Sequence, residues 1–215
     1  MIEKTKRRFF AGHDIVDVKK AILAISLLAG FGLAGSLVVF CLLPDVYIVP
    51  FGDVSVDAVH IWSEFLGDDL DVRVKVLNTA SFPPASFNFA RRQFVTEKIA
   101  DAVAQIRREI LFKKPRTAFI GLLNHDMYPT THDWRYCYAL NFLEGERNRI
   151  TVISTKRLTS TADDAEQVFT ARLYKLLKRA IGFQLYGCGT TTNVDSVLYG
   201  PLLSVDDLDR MGMKY

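Results

Sequence analysis

Hydrophobic and polar positions divide this chain of 215 residues into one long apolar run and a series of shorter periodic segments. The long run, AILAISLLAGFGLAGSLVVFCLL, covers residues 21–43 and contains no charged residue. A helix of this length spans about 30 Å, which is the thickness of the hydrocarbon core of a bilayer. A helix on the surface of a soluble domain needs a polar face, and this run has none. The pattern therefore predicts one transmembrane helix over residues 21–43.

The charges beside this run predict its orientation in the membrane. Residues 1–20 contain six basic and three acidic residues, and this excess equals the formal charge of the whole chain, +3. Because basic segments stay on the cytoplasmic side, we expect the N-terminus in the cytoplasm. Residues 45–215 are then extracytoplasmic, and periplasmic in a Gram-negative cell. A cleaved signal peptide is the alternative, but its apolar region is only about 7–15 residues long, which favours an uncleaved anchor in contact with lipid.

Shorter periodic segments follow in the predicted extracytoplasmic domain. Alternating or continuous apolar runs predict strands, and apolar positions at a spacing of three to four residues predict helices. The predicted strands cover 46–51, 71–77, 117–123, 136–142 and 149–154, and the predicted helices cover 54–66, 91–112 and 161–185. Gly67 is expected to end the first helix, and residues 124–134 are expected to form a polar loop. This order predicts an α/β (α+β) domain, in which helices pack on a mixed β-sheet.

The inward faces of these helices follow from the same spacing. Val56, Val59, His60 and Phe65 are expected inside in the first helix, and Phe94, Ile99, Val103, Ile106, Ile110 and Leu111 in the second. In the third helix the inward residues are expected to be Val168, Leu173, Leu176, Leu177, Ala180 and Ile181.

Composition excludes some classes of function. Beyond residue 20 the chain carries 21 basic and 21 acidic residues, so no excess of positive charge indicates nucleic-acid binding. Two cysteines, Cys137 and Cys188, follow the apolar run, and an oxidising compartment would allow them to pair. Two free thiols are the alternative that we favour, because three cysteines in the whole chain do not make a disulfide framework.

Five short strings in the predicted domain resemble, in their order and spacing, segments of archaemetzincins. These proteins are zinc metallopeptidases of the metzincin group. The strings lie between Val46 and Lys214, and they are IVPFG (48–52), PPASFNFARRQF (83–94), HDMY (125–128), ISTKRL (153–158) and DDLDRMG (206–212). The resemblance implies a metzincin-like mixed β-sheet packed with helices.

The chemistry of that family depends on the motif H-E-x-x-H-x-x-G-x-x-H-C, whose histidines bind zinc and whose glycine lets the chain turn. With the final cysteine of the motif on Cys188, the resemblance places the three histidine positions on Leu177, Ile181 and Gly187. The glutamate position falls on Lys178, the glycine position on Gln184, and a methionine beneath the site would fall near Leu198. Aliphatic side chains do not bind zinc, and a lysine does not replace the general base. The resemblance therefore implies a pseudopeptidase with no catalytic residue, metal or cofactor.

Two histidines elsewhere are weak candidates for a metal site. His125 and His132 lie in the predicted polar loop, and each precedes an aspartate. Together they could bind one ion, but their spacing matches no recognised motif. We expect these side chains to be solvated or to cap local structure.

Three functional hypotheses follow for the predicted domain. A metzincin cleft holds an extended peptide along an edge strand, and loss of zinc need not remove that groove. Our first hypothesis is a peptide-binding, protein-binding or assembly module, with contacts from Tyr136, Tyr138 and Phe142 of the predicted strand 136–142. One alternative is a membrane-bound metallopeptidase that holds zinc at a non-standard site such as His125 and His132. The other is a structural subunit of a membrane complex, which would associate through the small residues Ser26, Gly30 and Ala34.

Overall fold

A computed structural model describes residues 42–161 and 164–215 of the chain. The predicted basic segment 1–20 and the predicted transmembrane helix, except for its last two residues, lie outside these ranges. Within the described ranges, no helix is long and apolar enough to cross a bilayer. Residues Pro44–Tyr215 form one structural unit, and the elements below belong to it.

The described residues form eight strands, four α-helices and one 3₁₀ turn. The strands are β1 (Val46–Phe51), β2 (Val74–Val76), β3 (Phe87–Asn88), β4 (Gln93–Val95), β5 (Ala118–Leu123), β6 (Met127–Tyr128), β7 (Ala139–Phe142) and β8 (Ile150–Ser154). The helices are α1 (Val56–Leu70), α2 (Thr96–Glu109), α3 (Ala165–Gln184) and α4 (Val205–Arg210), and a single 3₁₀ turn covers Gly145–Arg147.

The main sheet is mixed, as the sequence pattern predicts. Its strand order is β2-β1-β5-β8-β7, and β7 runs antiparallel to β8 whereas the other neighbours are parallel. Strands β1 and β5 lie in the interior of the sheet and are buried along their whole length. Their continuous apolar sequences reflect this position, because helices cover both faces of the parallel part.

Helices form a layer on each face of the main sheet. On one face, α2 packs Ile99 and Val103 against the sheet, and Gly121 of β5 allows a close approach. A Cβ atom at Gly121 would lie 2.9 Å from a methyl group of Val103. On the other face, α1 and α3 share one core with α4. The result is a three-layered α/β/α arrangement with β7 at one edge of the sheet.

The structure corrects the end and the inward face of the first helix. Helix α1 continues through Gly67 to Leu70, and Asp71 ends it in the left-handed conformation, at φ 50°. The carbonyl of Gly67 accepts the amide of Asp71 at this end, so the chain turns after the glycine rather than at it. Core residues of α1 are Val59, Ser63 and Leu66, which are spaced to meet the sheet. His60 and Phe65, which we expected inside, are exposed.

The predicted helix over 91–112 is shorter at both ends. Residues Gln93–Val95 form β4, which pairs with β3 and β6 in a small second sheet. The ring of Phe94 stacks on Phe82 there, at 4.2 Å between centroids, and so it belongs to a strand rather than to the helical stripe. Leu111, which we also expected inside, lies beyond the helix and is 84% exposed. Tertiary pairing thus overrides the local helical spacing.

Two further boundaries differ from the sequence prediction. The strand expected over 136–142 begins at Ala139, and the strand expected over 71–77 covers only Val74–Val76. The segment expected as a polar loop contains β6, whose two residues are buried.

Helix α3 is confirmed, and its apolar stripe is central to the core. Leu173, Leu177 and Ile181 are at most 3% exposed and pack in the core between α1, α3 and the sheet. Burial of a leucine side chain stabilises a domain by about 1.5–3 kcal/mol.

We therefore predict that Leu177→Ala lowers the free energy of unfolding of the full chain by about 2–5 kcal/mol, because it leaves a cavity in a closed core. Leu143→Ala is the matched control, since Leu143 is largely exposed, and it should change the free energy by less than about 0.5 kcal/mol. Urea unfolding of both variants in detergent measures the difference. Equal effects of the two substitutions would contradict the placement of α3.

Candidate functional site

A cleft of about 450 Å³ lies beside the edge strand β7. One wall is formed by β7 and the segment that precedes it, a second by α3, and a third by the loop before α4. The lining residues are Asp133, Trp134, Arg135, Tyr136, Cys137, Tyr138, Ala139 and Asn141 from the first wall, Leu176 and Arg179 from α3, and Pro201, Leu202 and Leu203 from the loop.

Strand β7 directs main-chain groups toward the cleft edge. In the sheet β7 has β8 as its neighbour on one side only. The carbonyl of Tyr138 accepts the amide of Ser154, and Ala139 lies opposite Ile153 in the register. Since hydrogen-bonding direction alternates along an antiparallel strand, the main-chain groups of Ala139 and Asn141 point away from β8.

Two of the three aromatic residues predicted for peptide contact line the cleft. The rings of Tyr136 and Tyr138 meet edge to face at 5.4 Å between centroids. The guanidinium of Arg157 lies 4.0 Å above the ring of Tyr136, and a bidentate pair with Asp126 holds it there. Burial raises the pKa of Tyr138 above its usual range, and the hydrogen bond with Tyr136 raises this pKa further. The two rings thus support each other beside the cleft, and Tyr138 is neutral.

Phe142 lies on the other face of the sheet. It packs with the core that faces α2, and the guanidinium of Arg147 lies 5.6 Å from its ring centroid. The sequence prediction assumed one regular strand over 136–142, in which residues 138 and 142 would share a face. Because the strand begins at Ala139, that alternation does not reach Tyr138.

The positions predicted for the degenerate zinc motif are occupied by packed or paired side chains. Leu177 and Ile181 are fully buried in the core rather than on the cleft wall. The ammonium of Lys178 donates to the carboxylate of Asp69 on α1. The amide nitrogen of Gln184 donates to the carbonyl of Ile150 at 2.9 Å and to the hydroxyl of Thr151 at 3.0 Å. Gly187 is exposed.

These side chains do not fit a zinc ion. Leucine and isoleucine have no donor atom, Lys178 is a paired cation, and Gly187 has no side chain. No group of three histidine, cysteine, aspartate or glutamate side chains in residues 42–161 and 164–215 is placed to hold a metal ion.

The end of α3 offers a second register for the motif. The helix is still regular at Gln184, and the chain turns at Gly187, where φ is +65°. A glycine at such a turn is what the motif requires. With the motif glycine on Gly187, the histidine positions fall on Ala180, Gln184 and Thr190, and the glutamate position on Ile181. This register also provides neither a zinc-binding histidine nor a catalytic carboxylate.

Four buried cations on α3 are the feature that sequence reasoning missed. Arg172, Lys175, Lys178 and Arg179 are each only 7–8% exposed. Amphipathic spacing predicts that lysine and arginine side chains point to solvent. Here these side chains contact α1 and the last part of the chain instead. In the sequence, the four basic residues recur every three to four positions on one helix, and an acidic segment lies further along the chain at residues 206–209. This combination is the signal that could have predicted such contacts.

Three of these cations have a carboxylate nearby. Arg172 makes a bidentate pair with Asp209, and hydrogen bonds from Arg172 lower the pKa of that carboxyl below its usual range. The ammonium of Lys175 donates to the carbonyls of Leu208 and Asp209 at 2.9 Å each, and it also lies in the field of the Asp209 carboxylate. Lys178 pairs with Asp69, whose pKa is lowered chiefly by that hydrogen bond.

Arg179 differs from the other three. Its Nη1 atom donates to the carbonyls of Val197 and Tyr199, and its guanidinium lies 4.9 Å from the ring centroid of Phe183. Burial lowers the pKa of Arg179 to about 10, so the group remains a cation at neutral pH.

The two weak metal candidates make separate local contacts. His125 lies 3.5 Å from the carboxylate of Asp53 and packs against the rings of Phe82 and Phe94. The Nδ1 atom of His132 lies 2.9 Å from the Thr131 hydroxyl, and its ring stacks on Trp134.

The two cysteines of the described unit are both free thiols. Cys137 is buried, and burial raises its pKa to about 12, so the thiol is protonated at neutral pH. A protonated thiol is a poor nucleophile, and this argues against a catalytic role for Cys137.

Comparisons with known proteins identify the fold. No protein-family model matches the chain, and no curated protein does so. Among solved structures, the archaemetzincin of Archaeoglobus fulgidus, crystallised with malonate, is 22% identical with a TM-score of 0.61, over 79% of this chain and 94% of that one. The archaemetzincin of Methanopyrus kandleri is 20% identical with a TM-score of 0.63, over 80% and 89% of the two chains.

A zinc-dependent peptidase of Methanocorpusculum labreanum is similar to the same extent, at 21% identity and a TM-score of 0.63 over 78% of this chain and 93% of that one. The chain therefore has the archaemetzincin fold, as the short strings predict. At this level of identity, the similarity defines the fold and leaves the activity to be argued from the site.

Proposed function

We propose that this chain is a membrane-anchored pseudopeptidase, catalytically inactive, which binds a peptide or protein partner in the cleft beside β7. The observation that carries the proposal is the combination of a peptidase fold that keeps its cleft with an α3 helix whose motif positions are apolar, cationic or paired. Side chains that cannot hold a metal ion cannot activate a water molecule by the route of a zinc peptidase, whereas a groove for the peptide does not depend on the metal.

Strand addition is the mode of binding that the edge strand supports. An extended peptide would pair with the outward main-chain groups of Ala139 and Asn141, in the way that a further strand joins a sheet. Tyr136 and Tyr138 would contact its side chains with large, fixed surfaces. The volume of the cleft, about 450 Å³, is within the range of sites that enclose several side chains.

Membrane anchoring rests on the apolar run 21–43, and a surface near Pro44 supports it. Leu111 and Phe112 are 84% and 74% exposed, and they lie in the segment that follows α2. An ion pair of 2.6 Å between Lys114 and Asp45 ties this segment to the first residues of the unit. Exposed apolar side chains next to basic ones suit the interface of a bilayer.

For peptide binding, we expect the full chain in detergent to select extended peptides from a displayed library and to leave them uncleaved. N-methylation of alternate peptide residues removes the donors that strand addition needs and should weaken binding at least about tenfold. Tyr138→Asp should weaken binding similarly, whereas Phe89→Asp, at an exposed phenylalanine that does not line the cleft, should not. Titration of labelled peptides and mass spectrometry measure affinity and cleavage.

Either of two results would contradict this part of the proposal. One is cleavage of the bound peptides by the purified chain. The other is binding that neither N-methylation nor Tyr138→Asp weakens.

For anchoring, we expect the full chain to remain in the membrane pellet after extraction with alkaline carbonate. Replacing Phe31 and Leu33 by arginine places two charges in the middle of the apolar run, at about 2.5–3.5 kcal/mol each, and should release the chain. Leu143→Arg, at an exposed position, is the matched control and should stay in the pellet. Release of the unaltered chain by carbonate would refute the anchor.

A further inference from the structure

Arg179 is a buried charge that has no ion-pair partner in the part of the chain that the structure describes. Its side chain is nine-tenths buried, at 8% exposure. Two main-chain carbonyls, of Val197 and Tyr199, accept hydrogen bonds from Nη1. Between residues 42–161 and 164–215, no hydrogen bond is made by Nε or Nη2. A desolvated guanidinium normally has a carboxylate or phosphate opposite its fork.

The guanidinium is held in one orientation at the cleft wall. The carbonyls of Val197 and Tyr199 fix one side of the group, and the ring of Phe183 lies 4.9 Å from its central carbon. Gly200 leaves room for Nη2, because a Cβ atom there would lie only 2.8 Å from that nitrogen. A group fixed in this way loses little conformational entropy when it binds a ligand.

The lining of the cleft is positively charged. Arg179 and Arg135 are its cationic residues, and Asp133 is the one carboxylate among the described lining residues. The remaining lining is aromatic, aliphatic or neutral polar. Charge complementarity therefore favours an anionic occupant.

We propose that the cleft binds an extended acidic peptide, and that Arg179 receives the side-chain carboxylate of a glutamate or aspartate in that peptide. The proposal rests on the proposed function, since it names the class of peptide for the same cleft. A peptide paired along β7 directs every second side chain toward the face on which α3 lies. A carboxylate at that position can accept from the free nitrogens of the fork, in a charge-assisted pair.

The probe is a positional library of decapeptides, acetylated and amidated so that no terminal charge is present. Each pool fixes the central residue as Glu, Gln, Asp or Asn, and binding to the full chain in detergent is measured by anisotropy. We expect the Glu and Asp pools to bind at least about tenfold more tightly than the Gln and Asn pools. This comparison uses the unaltered chain, so it does not depend on the folding of a variant.

Variants of the chain then assign the effect to Arg179. Arg179→Gln should remove the preference for acidic over neutral pools, which is a ratio measured within the same variant, and Arg179→Lys should retain part of it. Gly200→Ala, which displaces Nη2, should reduce the preference without changing any charge. The matched control is Arg108→Gln on α2, an exposed arginine outside the cleft, which should leave the preference unchanged.

The outcomes separate this inference from the proposed function. Equal binding of acidic and neutral pools would overturn the role of Arg179 and leave strand addition standing. A preference that survives Arg179→Gln would overturn it as well, because the carboxylate would then be bound elsewhere. Absence of binding by every pool would refute the proposed function together with the inference.

Discussion

The packing of α3 against the main sheet is the contact on which the rest of the structure depends. Leu173, Leu177 and Ile181 place this helix in the core that it shares with α1 and α4. At its C-terminal end the amide of Gln184 binds the carbonyl of Ile150, which fixes the helix beneath β8 and next to the edge strand. In a zinc peptidase the corresponding helix also supplies metal ligands. In this chain, apolar contacts, the hydrogen bonds of Gln184 and the ion pairs of Arg172 and Lys178 hold the helix, and Leu176 and Arg179 of the helix form one wall of the cleft.

Buried cations connect that helix to the last part of the chain. Removing a charge from water is costly, so each cation must find carbonyls or a carboxylate. Arg172 and Lys175 find theirs at Leu208 and Asp209, and Arg179 finds carbonyls at residues 197 and 199. These contacts hold the segment that carries the Pro201–Leu203 wall of the cleft. Groups that a sequence pattern assigns to solvent therefore shape the candidate binding site.

The sequence predicts those parts of the fold in which local pattern and burial agree. The strands β1, β5 and β8 and the helix α3 are all confirmed. The small sheet is missed because its two- and three-residue strands depend on pairing with distant segments, as Phe94 does. The inward face of α1 is partly wrong, since Phe65 and Leu66 both fit a helical stripe and only the sheet decides between them.

The residues of the candidate site also divide into those that the sequence predicts and those that it does not. Sequence reasoning finds Tyr136 and Tyr138, because aromatic residues next to an edge strand are visible in the pattern. It places Phe142 on the wrong face, since strand alternation depends on where the strand begins. Arg179 is missed altogether, because the burial of a cation is a property of the packed structure and not of spacing along one helix.

The central claim is that apolar packing and buried cations, rather than a metal ion, hold α3 beneath the sheet. Thermal unfolding of the full chain in excess zinc and in EDTA tests it most directly, since a metal that binds only the folded state raises the midpoint of unfolding. The account predicts the same midpoint in both, within about 1 °C. A midpoint about 5 °C or more higher in zinc, lost again on adding EDTA, would contradict it.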